Sequence, residues 1–375
     1  MLCNQCKQRQ SAHCIKKDTE AGVEEMFLCE ECYARAQEDP VFGPDLFASF
    51  FTKDISEESR CCENCGTTLA EYSKTGILGC EKCYEAFREE LMPAIRKIHG
   101  KTTHKGKHPS GESTYYELLE EQRLLRAELE RALKEKRMKD ADRINKDIRA
   151  INKIIYRGDF GGSDDLESTI VSTRVRLARN IAGYPFPSKL KNTEQAKEII
   201  RLVNTEASRV GVFNLYFMDA VSDIVARCLM EDHLISADLI ANKKYGAALI
   251  DEEEKFSIMI NEEDHLREQY LLRGFRLNRA YEKISAMDDM LSKSIRFAYD
   301  KQLGYLTACP TNLGTGLRAS VMLFLPGLTR LNKMNNLIHH ISRLGLTVRG
   351  VYGEGSVAEG YMYQISNEVT LGVEE

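Results

Sequence analysis

Nothing in the 375-residue sequence approaches the apolar run of roughly 20 residues that crosses a bilayer. No basic segment followed by a hydrophobic one opens the chain either. These absences predict a cytoplasmic protein with no membrane partner. An excess of one charge sign is also lacking: 57 acidic side chains stand against 52 basic ones, a net charge of -5. That balance argues against a general polyanion coat, and basic residues interleaved with aromatics are not concentrated anywhere that would suit nucleic acid. Low-complexity blocks are missing while Leu, Ile, Val and Phe occur throughout, which excludes wholesale disorder and fibrous repeats. Tryptophan is absent. No GxxxxGK[ST] phosphate loop is present. Asp159-Phe160-Gly161 spells the magnesium-binding tripeptide of eukaryotic-type protein kinases, but the HRDxxxxN and Gly-rich strand that must accompany it are missing, so it reads as part of a glycine-rich tether.

What the chain does have is cysteine: twelve residues, mostly near the N-terminus and regularly spaced. Cys3, Cys6, Cys29 and Cys32 form one CxxC…CxxC set, and Cys62, Cys65, Cys80 and Cys83 form another. Each CxxC turn presents two thiolates from one knuckle, and two knuckles complete the tetrahedral S4 shell that Zn2+ prefers. In a reducing compartment, metal ligation outweighs disulfides or redox-active pairs. Four thiolates leave no open coordination position, so both sites would be structural and would supply folding energy. Cys14 and Cys61 are left over; Cys61 adjoins Cys62 and can exchange with it as a ligand, while Cys14 reads as a spare thiol.

The organisation follows from these spacings and from shifts in composition. Residues 1–60 and 61–98 make the two zinc modules, and 99–113 a basic, glycine-containing linker. A helical hairpin is predicted over 114–156: Thr114 with Glu117 makes a capping-box pattern, and the apolar positions Ala141, Ile144, Ile148, Ile151 and Ile155 fall at coiled-coil spacing. Lys134 to Lys139 would be its turn. Residues 157–167 form a second, glycine-rich linker, and 168–375 an α+β domain with a largely antiparallel sheet. Strands are expected at Phe256 to Ile260, Gly304 to Ala308, Ala319 to Leu325, Leu346 to Val351 and Tyr361 to Ile365, with amphipathic segments at Asn192 to Val210, His265 to Ala298 and Leu331 to Leu344.

Arginines recur in that domain at strand ends and glycine-rich turns: Arg174, Arg176, Arg179, Arg267, Arg318 and Arg349. A guanidinium is always charged and offers a planar fork of donors to phosphate oxygens, so several converging on one cleft can hold a triphosphate without a phosphate loop. Glu262 and Glu263 follow a strand, and Glu354 sits in a glycine-rich loop able to close as a lid. Paired carboxylates can orient a guanidinium and take a proton from it, which attack by a guanidine nitrogen on a phosphoryl group requires. Cys309, where a strand gives way to a Pro-Thr-Asn-Leu-Gly turn, reads either as a thiolate stabilised by nearby arginines or as a small buried hydrophobe. His233 could touch a nucleotide or simply fill a helix edge.

Taken together, STRVRLARN, NEEDHLR, TACPTNLGTGLRASV, RGVYGEGS and QISN resemble the catalytic domain of the phosphagen (guanidino) kinases, in wording closest to the bacterial McsB protein arginine kinases. The resemblance runs from about Ser168 to Gly372. It implies ATP and Mg2+ as cofactors and transfer of the γ-phosphate to a guanidinium nitrogen. It also implies that Arg174, Arg176, His233, Arg267, Arg318 and Arg349 bind the nucleotide, with Ser172, Thr173, Val175, Ala319, Ser320, Val321, Met322, Gly350, Val351, Tyr352 and Gly353 beside them. Glu263 and Glu354 would clamp and activate the guanidinium, and Cys309 would be the active-site cysteine; Arg179 and Glu262 are supporting candidates. Small-molecule phosphagen kinases carry a helical domain ahead of this core. Zinc modules and a hairpin stand there instead, which favours arginine borne on a protein as substrate.

The residues up to about 155 are similar to the McsA family of activators: the zinc quartets, the IHGKTTHKGKHP stretch and a hairpin like the UVR motif fall in the expected order. The whole therefore resembles an activator fused to its kinase, and a tether would hold the two at an effective concentration of roughly millimolar. The resemblance implies a stress-response role, marking proteins for a Clp-type protease or silencing a stress repressor. McsB-like kinases continue beyond the TLG motif, so phosphoarginine sensing and the usual dimer contacts are expected to be missing here. The competing reading is an inert kinase domain acting as a zinc-dependent adaptor or regulator.

Overall fold

The computed structural model describes residues 13–19, 22–28, 60–109, 114–135, 137–155, 169–331, 333–349 and 360–375. Cys3, Cys6, Cys29 and Cys32, the tether at 157–167, and Gly350, Val351, Tyr352, Gly353 and Glu354 lie outside the described residues. The N-terminal strands β1 (His13–Thr19) and β2 (Gly22–Leu28) pair as an antiparallel hairpin, with Cys14 on β1.

Around the second cysteine quartet come three helices, α1 (Leu69–Thr75), α2 (Cys83–Ala86) and α3 (Arg88–His99). Thr68 caps α1 by accepting from the Glu71 amide at 3.0 Å, and Gly76 closes it in the left-handed conformation. Gly79 is required where it stands: a Cβ there would meet Thr67 Oγ1 at 2.2 Å and Cys65 Sγ at 2.9 Å. Next, α4 (Thr114–Lys134) and α5 (Met138–Ile155) form the expected hairpin, sealed by Leu125, Leu129 and Ala132 against Ala141, Ile144 and Ile148.

The remaining elements build one layered unit. They are β3 (Ile170–Arg179), α6 (Thr193–Ala207), β4 (Phe213–Phe217), α7 (Asp223–Glu231), α8 (Ala237–Ala241), β5 (Ala247–Asp251), β6 (Phe256–Ile260), β7 (Leu266–Arg273) and α9 (Leu277–Ser292). After these come β8 (Tyr299–Asp300), β9 (Gly304–Tyr305), β10 (Leu317–Phe324), α10 (Pro326–Arg330), α11 (Met334–Ser342), β11 (Leu346–Arg349) and β12 (Met362–Asn367). Among the described residues, eight strands make one antiparallel sheet in the order β11-β12-β10-β3-β7-β6-β5-β4.

One face packs Val175, Leu177, Leu249, Ile258 and Ile260 against Ile199 and Val203 of α6 and Ile284, Met287 and Leu291 of α9. The other face is covered at one end by α7, α8 and the segment between them through Leu229, Leu234, Ile235 and Leu239 and is polar elsewhere. Burial of both faces of β5 and β6 explains their unbroken apolar runs. The segment His265 to Ala298, expected as one amphipathic stretch, begins instead with β7. LREQYLLR alternates between the two sheet faces, and Gly274, at φ +68°, turns the chain before α9 starts at Leu277. The strand expected over Gly304 to Ala308 is only Gly304–Tyr305, since Leu306 onward turns into the loop that carries Cys309. No helix among the described residues is long and apolar enough to cross a membrane.

Candidate active site and zinc centre

Strand alternation assembles the site. Even-numbered positions of β3 and β10 point to the polar face, and register places Arg176 opposite Arg318 on one side and Gln269 on the other. Arg174, Arg176, Arg267, Arg318 and Arg349 thereby line one cavity of about 280 Å³, with His233, Gln269 and Gln364 among them. Burial, then the neighbouring Arg267 and Arg318, pushes the Arg174 guanidinium down to about 10; burial, then Arg174, Arg267 and Arg318, depresses Arg176 well below its ordinary range. Cations set this close make a site complementary to polyphosphate. Arg174 Nη2 donates to Gln364 Oε1 at 3.1 Å. His233, in the left-handed region at φ 60°, is held by Gln269 Nε2 donating to its carbonyl oxygen, and burial, with Arg174 second, keeps its imidazole below the usual range.

On the same cavity wall, acid and thiol meet. Asn261, Glu262, Glu263, Asp264 and His265 form a tight turn between β6 and β7, in which Asn261 adopts φ 57° and its amide donates to the His265 carbonyl at 3.0 Å. Asp264 is the rivet: its Oδ1 accepts from Asn180 Nδ2 at 2.6 Å and from the Ala308 amide at 2.7 Å, fastening the turn to the loop that carries Cys309. His265 accepts at Nδ1 from the Ile181 amide at 3.0 Å and donates at Nε2 to the Pro185 carbonyl, and burial pushes its pKa down to about 4, so it is a neutral structural imidazole.

Glu263 lines the cavity. Burial first, and Asp264 second, push its carboxyl up to about 8 against the pull of Arg267. Asn312 Nδ2 donates to its Oε1 at 3.1 Å. Cys309 lines the same wall, its Sγ 3.0 Å from Thr311 Oγ1. Of its two readings, stabilised thiolate or small buried hydrophobe, its surroundings favour the second. Burial, followed by the negative Glu263, pushes the thiol up to about 12. A carboxyl near neutrality, a buried thiol and an arginine cluster on one cavity wall can hold a guanidinium on one side and phosphates on the other.

Not every expected residue reaches this cavity. Thr173, Val175 and Ala319 face the opposite side of the sheet: the Thr173 hydroxyl donates to the Gly274 carbonyl at 2.7 Å, and the other two pack into the core. Ser320 and Met322 line a small recess beside Arg174 and His233, whereas Ser172 and Val321 line neither space. Arg179, being odd-numbered on β3, turns away entirely and is fully buried against Asp288. Glu262 pairs with Arg267 at 2.6 Å and accepts from the Ser236 hydroxyl. Asn312, Asp264, Asn180, Gln269, Gln364 and Asp238 were not given roles from sequence; only the CPTNLG turn hinted at Asn312 and the acidic NEEDH run at Asp264.

The second cysteine quartet is assembled. Sγ atoms of Cys62, Cys65, Cys80 and Cys83 all lie within 4.8 Å of one another. Cys62 to Cys80 is 3.7 Å, Cys65 to Cys83 3.4 Å and Cys80 to Cys83 3.8 Å. A tetrahedron with Zn–S bonds of about 2.3 Å has edges near these lengths, so the residues fit structural zinc. Cys61 is exposed and outside the cluster.

This module packs directly beneath the Cys309 loop. Tyr72, Leu78, Tyr84, Phe87 and Leu91 share one core with Phe186, Leu303, Leu306, Ala308 and Leu313. Tyr84 Oη donates to the Thr307 carbonyl at 2.8 Å, and the Leu78 amide to the Ala308 carbonyl at 2.9 Å. His99 Nε2 is 2.8 Å from the Pro310 carbonyl. The stretch expected to be a free linker is thus anchored at its start, with His99 and His104 buried.

Residues 194–375 match the family described as "ATP:guanido phosphotransferase, C-terminal catalytic domain". That stretch, just under half of the chain, is similar to this family. Residues 60–106 match the "McsA central zinc-finger domain", which takes in the assembled quartet. The phosphotransferase match begins after β3, yet β3 is an inner strand of the same sheet and carries two of the cavity's arginines.

The chain is similar to "Protein-arginine kinase" of Brevibacillus brevis, 47% identical over 211 residues that span 55% of this chain and 59% of that protein. It is similar also to the enzyme of that name from Geobacillus stearothermophilus, 48% identical over 55% of this chain and 58% of that protein. The chain thus spans about three fifths of the length of these relatives. In fold it resembles the substrate-free duplicated taurocyamine kinase from Schistosoma mansoni, with a TM-score of 0.63 at 24% identity over 88% of this chain and 44% of that one. Lombricine kinase gives 0.60 at 23% identity over 83% and 80% of the two chains.

Proposed function

We propose that this chain transfers the γ-phosphate of ATP to the guanidinium of arginine residues in proteins, and that the fused zinc module acts as its activator. The observation that carries the reading is the meeting of Glu263 and the arginine cluster in one cavity. Arg174, Arg176, Arg267, Arg318 and Arg349 would hold the phosphates and offset the charge that develops in transfer. Glu263 orients the guanidinium, and as the nitrogen attacks, the N–P bond forms, the bond from the γ-phosphorus to the leaving ADP oxygen breaks, and the N–H proton passes to the Glu263 carboxylate. Glu354 would join from the glycine-rich loop, and Cys309 would contact the guanidinium. Among the described residues, the cavity wall offers two carboxylates, Glu263 and Asp238, so Mg2+ would take many of its ligands from the phosphate oxygens and water.

The zinc module supports the reaction by bracing the loop from Thr307 to Asn312, on which both Cys309 and the Glu263 partner Asn312 sit. A Clp-type protease that receives the marked proteins, and a stress repressor among the substrates, are the partners this reading implies.

Incubation with labelled ATP and an arginine-bearing protein tests it. The expected product is an acid-labile, alkali-stable phosphate that disappears in Glu263→Gln. Nucleotide binding with no transfer by the folded chain would replace the enzyme with an adaptor.

A further inference from the structure

Behind the cavity, on the far face of the sheet, lies a second group of charges. Arg179 is fully buried. Its Nε donates to Asp288 Oδ1 at 2.8 Å and its Nη2 to Asp288 Oδ2 at 3.1 Å, while the Tyr305 ring lies 3.5 Å from its guanidinium carbon. Its remaining nitrogen, Nη1, donates to two main-chain oxygens, those of Ala178 at 2.8 Å and Thr315 at 2.9 Å. Gly316 presses on the same nitrogen: at φ +63°, a Cβ on it would meet the Ala178 oxygen at 2.6 Å and Arg179 Nη1 at 2.7 Å. Ala178, Gly316 and Arg318 all line the cavity. The turn that delivers Arg318 to the phosphate side is therefore seated on the guanidinium of Arg179.

A lysine from the other half of the chain reaches that guanidinium. Lys107 lies in the stretch that continues from the zinc module, and its side chain is only 7% exposed. Nζ sits 2.9 Å from Asp288 Oδ2 and 2.5 Å from Asp289 Oδ1, and donates to the Ser285 carbonyl at 3.3 Å. Asp288 Oδ2 is thus shared between Lys107 and Arg179. The main chain around Lys107 is pinned as well. The His104 amide donates to the Gln302 carbonyl at 2.6 Å, His104 Nε2 is 3.0 Å from the Lys107 carbonyl, and the Lys107 amide donates to the Glu375 carboxylate at 2.9 Å. Glu268 is buried beside these groups, and burial and Asp288 push its carboxyl well up. Lys107 and Arg179 then face Asp288 and Asp289, two cations against two anions.

We propose that Lys107 is a positioning residue: by fixing Asp288, and through it Arg179, it sets the Thr315–Arg318 turn and so couples the zinc-module half of the chain to nucleotide affinity. A bare spacer between two domains would not need a lysine in a buried carboxylate socket, and breaking such a pair leaves charge without a partner. The proposal rests on the nucleotide reading of the cavity. Its test is binding rather than turnover: affinity of the full zinc-loaded chain for a non-hydrolysable ATP analogue, in the unaltered protein, Lys107→Met, Lys107→Arg and Asp289→Asn, each with zinc content and melting temperature measured alongside.

Lys107→Met is expected to weaken analogue binding by about threefold to thirtyfold at unchanged zinc content. Asp289→Asn should weaken it in the same direction, and Lys107→Arg should restore most of it. Asp289→Asn also carries the test if Lys107→Met fails to fold, because it keeps the Arg179–Asp288 pair. If the unaltered chain binds the analogue and both Lys107→Met and Asp289→Asn bind it equally well, the coupling is overturned while the cavity reading stands. If the unaltered chain binds no analogue, the cavity reading fails and takes the coupling with it.

Discussion

Asn312 donates its side-chain N–H to Oε1 of Glu263 across 3.1 Å, tying the cysteine loop to the carboxyl on the cavity wall. Burial pushes that carboxyl up to about 8. Below this pH it holds a proton and can neither offset a guanidinium's charge nor accept a proton from it. Transfer efficiency, as kcat/KM for the arginine substrate, is therefore expected to rise with pH and level off above about 8. Glu263→Gln should abolish the rising limb and lower the rate by about 10² to 10⁴. Asn312→Ala removes a donor that favours the ionised form, so its limb should move to higher pH. A pH–rate profile that is flat through this range would exclude Glu263 as the titrating group. Linkage has the opposite sign for stability. The folded protein keeps a proton that the unfolded chain has released, so this group makes the free protein less stable as pH climbs from the ordinary carboxylate range toward 8.

The arginines predict a trade between stability and binding. Arg176 is desolvated and repelled by Arg174, Arg267 and Arg318, with Glu262 the weaker opposing charge. Arg176→Met should leave the melting temperature of the nucleotide-free protein unchanged or raised. It should lower nucleotide affinity about tenfold to a hundredfold, the scale of one lost hydrogen bond to a charged group. Thermal scans with and without ATP check both parts: stabilisation by ATP should shrink while the baseline does not fall.

Removal of zinc should be felt at the cavity. The module's own core is small, and metal binding in such units supplies folding energy. A chelator should therefore unfold residues around Cys62, Cys65, Cys80 and Cys83 and withdraw Tyr84 and His99 from the Thr307–Asn312 loop. Transfer should fall with zinc content and return when zinc is restored. His99→Ala should reproduce part of the loss with zinc retained, at a stability cost of about 1–3 kcal/mol for the buried Pro310 carbonyl left without this partner. Equal activity in the chelated and loaded protein would show that the brace has no catalytic role.

How far these features were legible in the sequence differs by the kind of signal. The quartet from Cys62 to Cys83 and the seam through Ala141, Ile144 and Ile148 are spacing signals, local and periodic, and the structure assembles both. The arginines were found as a set, but their division was not: which of Arg174, Arg176 and Arg179 reaches the cavity depends on strand parity and on α9 supplying Asp288, a partner more than a hundred residues away. β7 was hidden inside an amphipathic stretch because LREQYLLR serves two polar environments at once, Arg267 and Gln269 toward the cavity and Glu268 toward the buried charges behind it. Asp264 stood out only as part of an acidic run and Asn180 not at all, since a rivet between two loops is defined only by the fold that brings them together. The basic stretch from His99 onward read as a linker by composition; Lys107 within it is buried because Asp288 and Asp289, distant in sequence, receive it.

Cys309 closes the set with a test of its environment. Its thiol is pushed up to about 12 by burial and by Glu263, whereas Cys61 and Cys228 are exposed. Only the thiolate reacts with alkylating agents, so at neutral pH Cys309 should react roughly a thousandfold more slowly than an ordinary cysteine, and after Cys61 and Cys228. Cys309→Ser should then lose less activity than Glu263→Gln, because a neutral thiol contributes contact and shape but no proton transfer. A guanidino ligand changes the balance. Its positive charge would lower the pKa of Cys309 while covering the sulfur, so saturation with ligand should slow labelling further even as the thiol becomes more acidic. Site-resolved mass spectrometry over a pH series, with and without an arginine-bearing peptide, separates these effects. Labelling of Cys309 ahead of Cys61 in the free protein at neutral pH would mean that a cation, not Glu263, governs the thiol.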